Sequence, residues 1–328
     1  MRRAPYDQLR FQGTPEEVSR QWVQARRNGI GGSDVAAIMG ISRYRSPYEV
    51  WLDKTGRVEP DDLSGNSAVE WGNRLEDCVA RKFADEHPEL RVVRRNAMLV
   101  SRERPWAFAN LDRIAWAEDG TPYVMECKTA GDRRAGDWAD GVPDYYLTQV
   151  THYLSVTGYA GAWVAVLIGG SDYREFYVPR DEEDIRAVEQ AVDSFWQVNV
   201  AQDRMPRMVG LESESGALSQ ANADWADDYA QACDEDLADA GCDLDRLEEI
   251  RAQMDALSKE KRRIDDELRA RIGQARGIMT QTRRVTWTRS TCRSFDSKRF
   301  REEHAELAEQ YTTEKNCDGG IRIAKRKD

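Results

Sequence analysis

The chain has 328 residues, 40% hydrophobic and 33% charged, with a formal net charge of −11. That length allows one well-buried core plus an appendage, and no apolar run approaches the roughly 20 residues a membrane-spanning helix needs. Six scattered cysteines with no Cys-x-x-Cys pair, and only three histidines, give no zinc or iron–sulfur spacing. They read as reduced thiols in a cytoplasmic protein, as does a start, Met1-Arg2-Arg3-Ala4-Pro5, with no apolar stretch behind it.

Thr14-Pro15-Glu16-Glu17 predicts a helix start, a side-chain cap followed by proline in the first turn. Gly29-Ile30-Gly31-Gly32-Ser33-Asp34 predicts a glycine turn feeding a second helix, with Ser33 or Asp34 near its cap. Residues 46–55 read as helix with Tyr48, Trp51 and Leu52 on one face. Residues 67–86 read as an amphipathic helix containing Glu70, Glu76 and Phe83. Strands are expected near 91–100, 106–116 and 122–128. A helix at 143–157, strands at 161–168 and 173–178 and a helix at 181–202 follow. This order describes an α/β (α+β) core with a mixed sheet.

Residues 208–245 hold eleven acidic residues and no basic one, which leaves the rest of the chain with 48 acids against 48 bases. The negative charge is therefore local. Basic groups at Arg26-Arg27, Arg91/Arg94/Arg95 and Arg133-Arg134 remain available to a polyanion. The acidic, Ala/Ser-rich stretch buries little and reads as a spacer. Beyond it Leu247, Ile250, Met254, Leu257, Ile264 and Leu268 fall at spacings of three and four, interrupted by Lys261. That is an a/d seam of about three heptads, packed on its own domain or paired with another chain. Strand-like Val285-Thr286-Trp287-Thr288 and a short helix around 297–310 follow. The expected organisation is a core over 1–207, an acidic linker over 208–245 and a C-terminal extension over 246–328.

The chemistry-bearing pattern lies in the middle of the core. Glu126 and Lys128 stand two apart on a predicted strand and so share a face. A hairpin through Glu118-Asp119-Gly120-Thr121 brings Asp112 beside them. Two carboxylates and an ammonium suit a hard divalent ion and an activated water, the requirements of phosphodiester hydrolysis. Gln149 and Tyr153, four apart, share a face of the following helix, and Glu76 comes from the helix at 67–86. Each has a plainer reading: solvated acid, surface amide, core tyrosine. Their occurrence together in this order favours a site.

The order Trp22-(x3)-Arg26, Gly29-Ile30-Gly31-Gly32-Ser33-Asp34, Trp71-Gly72-(x3)-Glu76, Asp112, Glu126-x-Lys128 and Gln149-(x3)-Tyr153 resembles the YqaJ-type viral recombinases. These are lambda-exonuclease-like members of the PD-(D/E)xK nuclease superfamily. The match spans roughly residues 15–200, and Leu111 stands where that superfamily usually has proline. The resemblance implies a restriction-endonuclease-like core. It implies Mg²⁺ or Mn²⁺ held by Asp112, Glu126, the Cys127 backbone carbonyl and Glu76, with one or two ions left open. Lys128 and Gln149 would position water and phosphate. Arg26 and Ser33 match the pocket for a 5′-terminal phosphate, and an arginine fork beside a hydroxyl is itself an anion site. Partners implied are double-stranded DNA ends, a single-strand annealing protein and further copies of the chain in a ring-shaped trimer.

Three functions compete at this point: a 5′-to-3′ exonuclease resecting ends for phage-type recombination, a nicking or structure-specific endonuclease, and an inactive DNA-end scaffold. The polar loop Gly136-Asp137-Trp138-Ala139-Asp140 puts forward Trp138 as a DNA contact, with Arg133 and Arg134 on backbone phosphate.

Overall fold

A computed structural model of the chain describes residues 4–59, 65–222, 230, 232–233, 237, 241–313, 321 and 323. The chain divides into two units, Met1–Ala226 and Asp227–Asp328.

The first unit opens with strand β1 (Tyr6–Leu9), which the sequence reading passed over, and helix α1 (Pro15–Arg27). Thr14 caps α1: its hydroxyl accepts from the Glu17 N–H, and the Glu17 carboxylate accepts from the Thr14 N–H. The glycine turn leads to α2 (Gly32–Ile38), whose cap position is Gly31, with the Asp34 carboxylate accepting the Gly31 N–H at 3.2 Å. Ser33 is therefore inside the helix rather than capping it. A second reciprocal cap, between Ser46 and Glu49, starts α3 (Pro47–Lys54). Helix α4 (Ser67–Glu86) follows an Asn66 cap.

The expected strands near 91–100 and 106–116 each split in two. Strands β2 (Arg91–Arg94) and β5 (Arg113–Trp116) join one sheet; β3 (Met98–Ser101) and β4 (Phe108–Ala109) join another with β1. The main sheet has the order β2-β5-β6-β7-β8, with β6 (Pro122–Ala130), β7 (Gly161–Ile168) and β8 (Asp172–Pro179). Its pairs are antiparallel except β6 with β7, which run parallel. The crossover between those two is α5 (Asp144–Thr157), closed by left-handed Gly158 at φ 68°. Helix α6 (Glu182–Ser194) continues through a π turn over Phe195–Val200. This is the mixed α/β arrangement expected.

Alternation along the strands divides the core. Val79, Ala80 and Phe83 of α4 cluster with Ala115, Met125 and Ala165. On the opposite face Ile114, Val124, Val164 and Val166 cluster with Val150 and Leu154 of α5. A strand residue two beyond Val124 is Glu126, and two beyond that is Lys128, so both face the α5 side.

Helix α7 (Glu212–Ala221) lies within the stretch read as a spacer. Ala217 and Ala221 pack on the main core, and the buried Glu214 carboxylate accepts the N–H groups of Val209, Gly210 and Leu211. The segment from 212 to 221 thus belongs with the first unit. Glu214 serves the helix start rather than repelling the chain into solution. The spacer expectation for 223–240 falls largely outside the described residues.

In the second unit a helix spans Leu244–Ile272, and strands Gly277–Met279 and Arg284–Thr286 pair antiparallel. Short helices follow at Ser297–Glu303 and Ala305–Gln310. No helix of the described residues is long and apolar enough to cross a membrane.

Candidate active site

The register of β5 and β6 fixes the geometry. Arg113 stands opposite Met125 and Ile114 opposite Val124, so Asp112, just before β5, comes level with Glu126. Asp112 Oδ2 accepts the Cys127 backbone N–H at 2.9 Å. The Cys127 carbonyl leaves the strand on the same edge as its N–H, toward Asp112. Strand β5 ends its pairing at Met125, so from Glu126 onward this edge opens into a cavity of about 450 Å³ lined by Glu76, Asp112, Glu126, Cys127, Lys128 and Tyr146 among others.

Within it the predicted side chains meet. Lys128 Nζ donates to Glu126 Oε1 at 2.7 Å and to Gln149 Oε1 at 3.1 Å. The Gln149 amide donates to the same Glu126 oxygen at 2.7 Å and to the Tyr153 hydroxyl at 2.9 Å. Lys128 also lies 4.5 Å from the Tyr146 ring centre, a cation–π contact. Glu126 Oε1 is thus doubly bonded, while Oε2 is buried with no hydrogen-bond partner among the described residues. Burial, and then the neighbouring Glu126 carboxylate, push the Asp112 pKa up to about 8. Burial works against the charge of Lys128, but Glu126 and Asp112 outweigh it and its pKa is raised.

Glu76 lines the cavity but is otherwise engaged. Its carboxylate pairs with Arg113, which is 4% exposed and also pairs with Asp77. A buried guanidinium demands such partners. Among the described residues no three His, Cys, Asp or Glu side chains group as a ligand set. In the metal-free chain Glu76 thus serves as a clamp while still lining the cavity beside Asp112. Glu76 and Asp77 fasten α4 to Arg113, whose Nη1 also donates to the Asp112 carbonyl. The donors that remain, Asp112, Glu126 and the Cys127 carbonyl, are hard oxygens, and an orphaned buried carboxylate oxygen beside a raised aspartate fits a divalent cation.

Arg26 Nη2 donates to Ser33 Oγ at 3.1 Å, and the guanidinium lies 4.8 Å from the Trp22 ring centre. Beneath them Asp34 is fully buried. Burial alone would raise its pKa, but Lys54, Arg45 and Arg26 hold it low. The Arg26–Ser33 pair adjoins the Glu126–Lys128–Gln149 cluster because Gly32 sits on α5. A Cβ there would come within 2.5 Å of Tyr153 Cε1 and 2.9 Å of Gln149 Cγ. Tyr153 feels both Glu126 and Arg26, and burial drives its hydroxyl pKa well above the usual value.

Trp138 is not a DNA contact. It is 1% exposed, stacked on Phe176 with ring centres 5.9 Å apart and tilted against Tyr146 at 5.5 Å. Its loop is a 3₁₀ turn over Asp132–Trp138 that drives the indole inward and leaves Arg133 exposed. Tyr44 does face solvent, 57% exposed, 6.0 Å from Tyr145 and 5.7 Å from the Arg134 guanidinium. Sequence reasoning missed it because Tyr44, Arg134 and Tyr145 come from three separate segments. Trp138→Ala should cost about 3–5 kcal/mol of stability in denaturant titration. Tyr44→Ala should leave stability unchanged and weaken single-stranded DNA binding by about 1–3 kcal/mol in fluorescence anisotropy.

The domain model of the YqaJ-like viral recombinases matches residues 21–160. The protein YqaJ of Bacillus subtilis (strain 168) is 30% identical over 305 residues, 91% of this chain and 92% of its own length. The chain belongs to the YqaJ-like viral recombinase family. Within this family's matched segment lie Arg26, Ser33, Asp112, Glu126, Lys128 and Gln149. Protein D345L of African swine fever virus (strain Badajoz 1971 Vero-adapted) is 22% identical over 171 residues, 45% of this chain and 48% of its own. Among solved structures, the alkaline exonuclease LHK-Exo from Laribacter hongkongensis overlays with a TM-score of 0.44 at 18% identity, covering 63% of this chain and 100% of its own.

Proposed function

We propose that this chain is a metal-dependent deoxyribonuclease that digests double-stranded DNA from its ends, 5′ to 3′, leaving a 3′ single strand for recombination. The observation that carries the reading is the Glu126 carboxylate. One oxygen is fixed by Lys128 and Gln149, the other is buried without a partner, and Asp112 stands level with it across the hairpin.

Mg²⁺ or Mn²⁺, held by Asp112, Glu126 and the Cys127 carbonyl, would supply Lewis acidity and lower the pKa of water. The chain's own groups do the rest. Gln149, its amide fixed by Glu126 and Tyr153, orients Lys128. Lys128 stays protonated between two carboxylates and offers its remaining N–H to the attacking water or the phosphate oxygen that gains charge. Arg113, clamped by Glu76 and Asp77, sets the backbone from which Asp112 projects.

Arg26 and Ser33 would take the 5′ phosphate. Tyr153 and Gln149 pack against Gly32 and link that neighbourhood to Glu126, so an anchored terminus would lie close to the bond cut next. Arg26→Ala should slow digestion of 5′-phosphorylated linear duplex by at least about tenfold while 5′-hydroxyl ends change little, since one charged hydrogen bond is worth about 1.5–3 kcal/mol. Equal loss on both ends would remove the pocket from the account. Asp34 keeps Arg45 and Lys54 in this variant, so the fold should survive. Cleavage of covalently closed circles at the linear rate would favour an endonuclease instead. A cytoplasmic setting, a single-strand annealing partner and a trimeric ring belong to the same proposal.

A further inference from the structure

The helix Leu244–Ile272 is 29 residues long and capped by Asp243; at 1.5 Å per residue it extends about 43 Å. Along it Ile250, Met254, Leu257 and Ile264 are exposed, Met254 and Leu257 by 62% and 64%. Half-buried Leu247 and Leu268 extend the same seam at both ends. An apolar stripe of this length left in water is stabilised by any partner that covers it.

The charges beside the stripe select the partner. With Leu247 at position a of the heptad, the flanking groups of the first half are Arg246 and Arg251, and those of the second half are Glu260, Asp265 and Glu267. Lys261 occupies the seam itself. A parallel second copy would set Arg246 against Arg251, Glu260 against Asp265 and Lys261 against Lys261, all like charges. An antiparallel copy sets Arg246 against Glu267, Gln253 against Glu260 and Lys261 against Ile250. No like charges then meet, and the layers Leu247–Ile264 and Met254–Leu257 each form twice about a two-fold axis. In the single helix Arg246 pairs with Glu249 at 2.8 Å and Glu267 with Arg263 at 2.7 Å. Both are exposed same-helix contacts, easily exchanged. We propose that this seam is an interface between two copies of the chain, paired antiparallel.

Light-scattering mass of the full-length protein tests this across a concentration series. Pairing adds a two-fold contact between copies, so Met254→Asp should lower the mass at concentrations where the parent associates. Arg246→Glu turns two attractions into repulsions and should weaken association on the order of tenfold. Adding Glu267→Arg to it should restore the parent value. Because the charge variants leave the apolar seam intact, they separate pairing from a loss of helix, which far-UV circular dichroism monitors. A mass unaltered by Met254→Asp would assign the face to another occupant and overturn the proposal. Association unchanged or tightened by Arg246→Glu would overturn the antiparallel arrangement.

Discussion

Glu126→Gln should reduce hydrolysis of linear duplex DNA by about 10³-fold or more while leaving the metal-free protein at least as stable as its parent. The loss follows from removing a charged oxygen where a cation and a developing phosphate charge must be balanced, the setting in which single groups matter most. The stability result follows from the same carboxylate. In the metal-free chain Glu126 is buried beside Asp112, and burial together with that proximity holds the Asp112 pKa up at about 8. A glutamine keeps the contacts of Oε1 with Lys128 and removes the repulsion. The sign with pH is fixed by linkage. Between about 4 and about 8 the folded Asp112 binds a proton that the unfolded chain releases, so its contribution to stability is full below about 4 and is lost as pH rises toward 8. Glu126→Gln should flatten that slope, and added Mn²⁺ should raise the parent's melting temperature but not the variant's. A variant that melts lower than its parent without metal would mean that Glu126 is a structural ion-pair partner of Lys128.

Gly32→Ala should lower stability by about 1–3 kcal/mol and slow cleavage as well, whereas Gly72→Ala should raise stability by about 0.5–1 kcal/mol. The contrast is steric. A methyl group at 32 meets the buried Tyr153 ring at 2.5 Å, and that ring carries the hydroxyl bonded to Gln149. Moving it disturbs the amide that fixes Glu126 and Lys128. A methyl group at 72, inside α4, finds the Thr129 hydroxyl at 3.8 Å and nothing nearer. Denaturant melts of both variants, with initial rates on linear duplex, check the pair. Equal effects would mean that the Gly-Ile-Gly-Gly segment serves the turn alone rather than the approach of α2 to α5.

The cluster of Asp112, Glu126, Lys128 and Gln149 was legible because it depends on short-range periodicity. Glu126 and Lys128 share a face by the two-residue period of a strand, Gln149 and Tyr153 by the helical period, and Asp112 by the hairpin between β5 and β6. Local chemistry also marked the start of α1 and the turn before α2. What stayed hidden depends on partners far along the chain. Nothing near Glu76 signals that Arg113 claims it, and nothing beside Trp138 signals that Phe176 and Tyr146 enclose it. Polar neighbours on both sides of Trp138 suggested the opposite. The breaks between β2 and β3 and between β4 and β5 carry no glycine or proline. They arise because the flanking strands enter different sheets, a tertiary choice. Helix α7 was masked by acidic composition, although Ala217 and Ala221, four apart, form the small apolar face that it buries.

The central claim is that Asp112, Glu126 and Lys128 act together on a DNA backbone with a divalent cation between them. Its most direct test is release of acid-soluble nucleotides from 5′-phosphorylated linear duplex by the full-length protein in Mg²⁺, in chelator and after Mg²⁺ is restored. Rapid digestion in Mg²⁺, arrest in chelator and full recovery on restoration are predicted. Digestion that continues undiminished in chelator, or none in either Mg²⁺ or Mn²⁺, would contradict it.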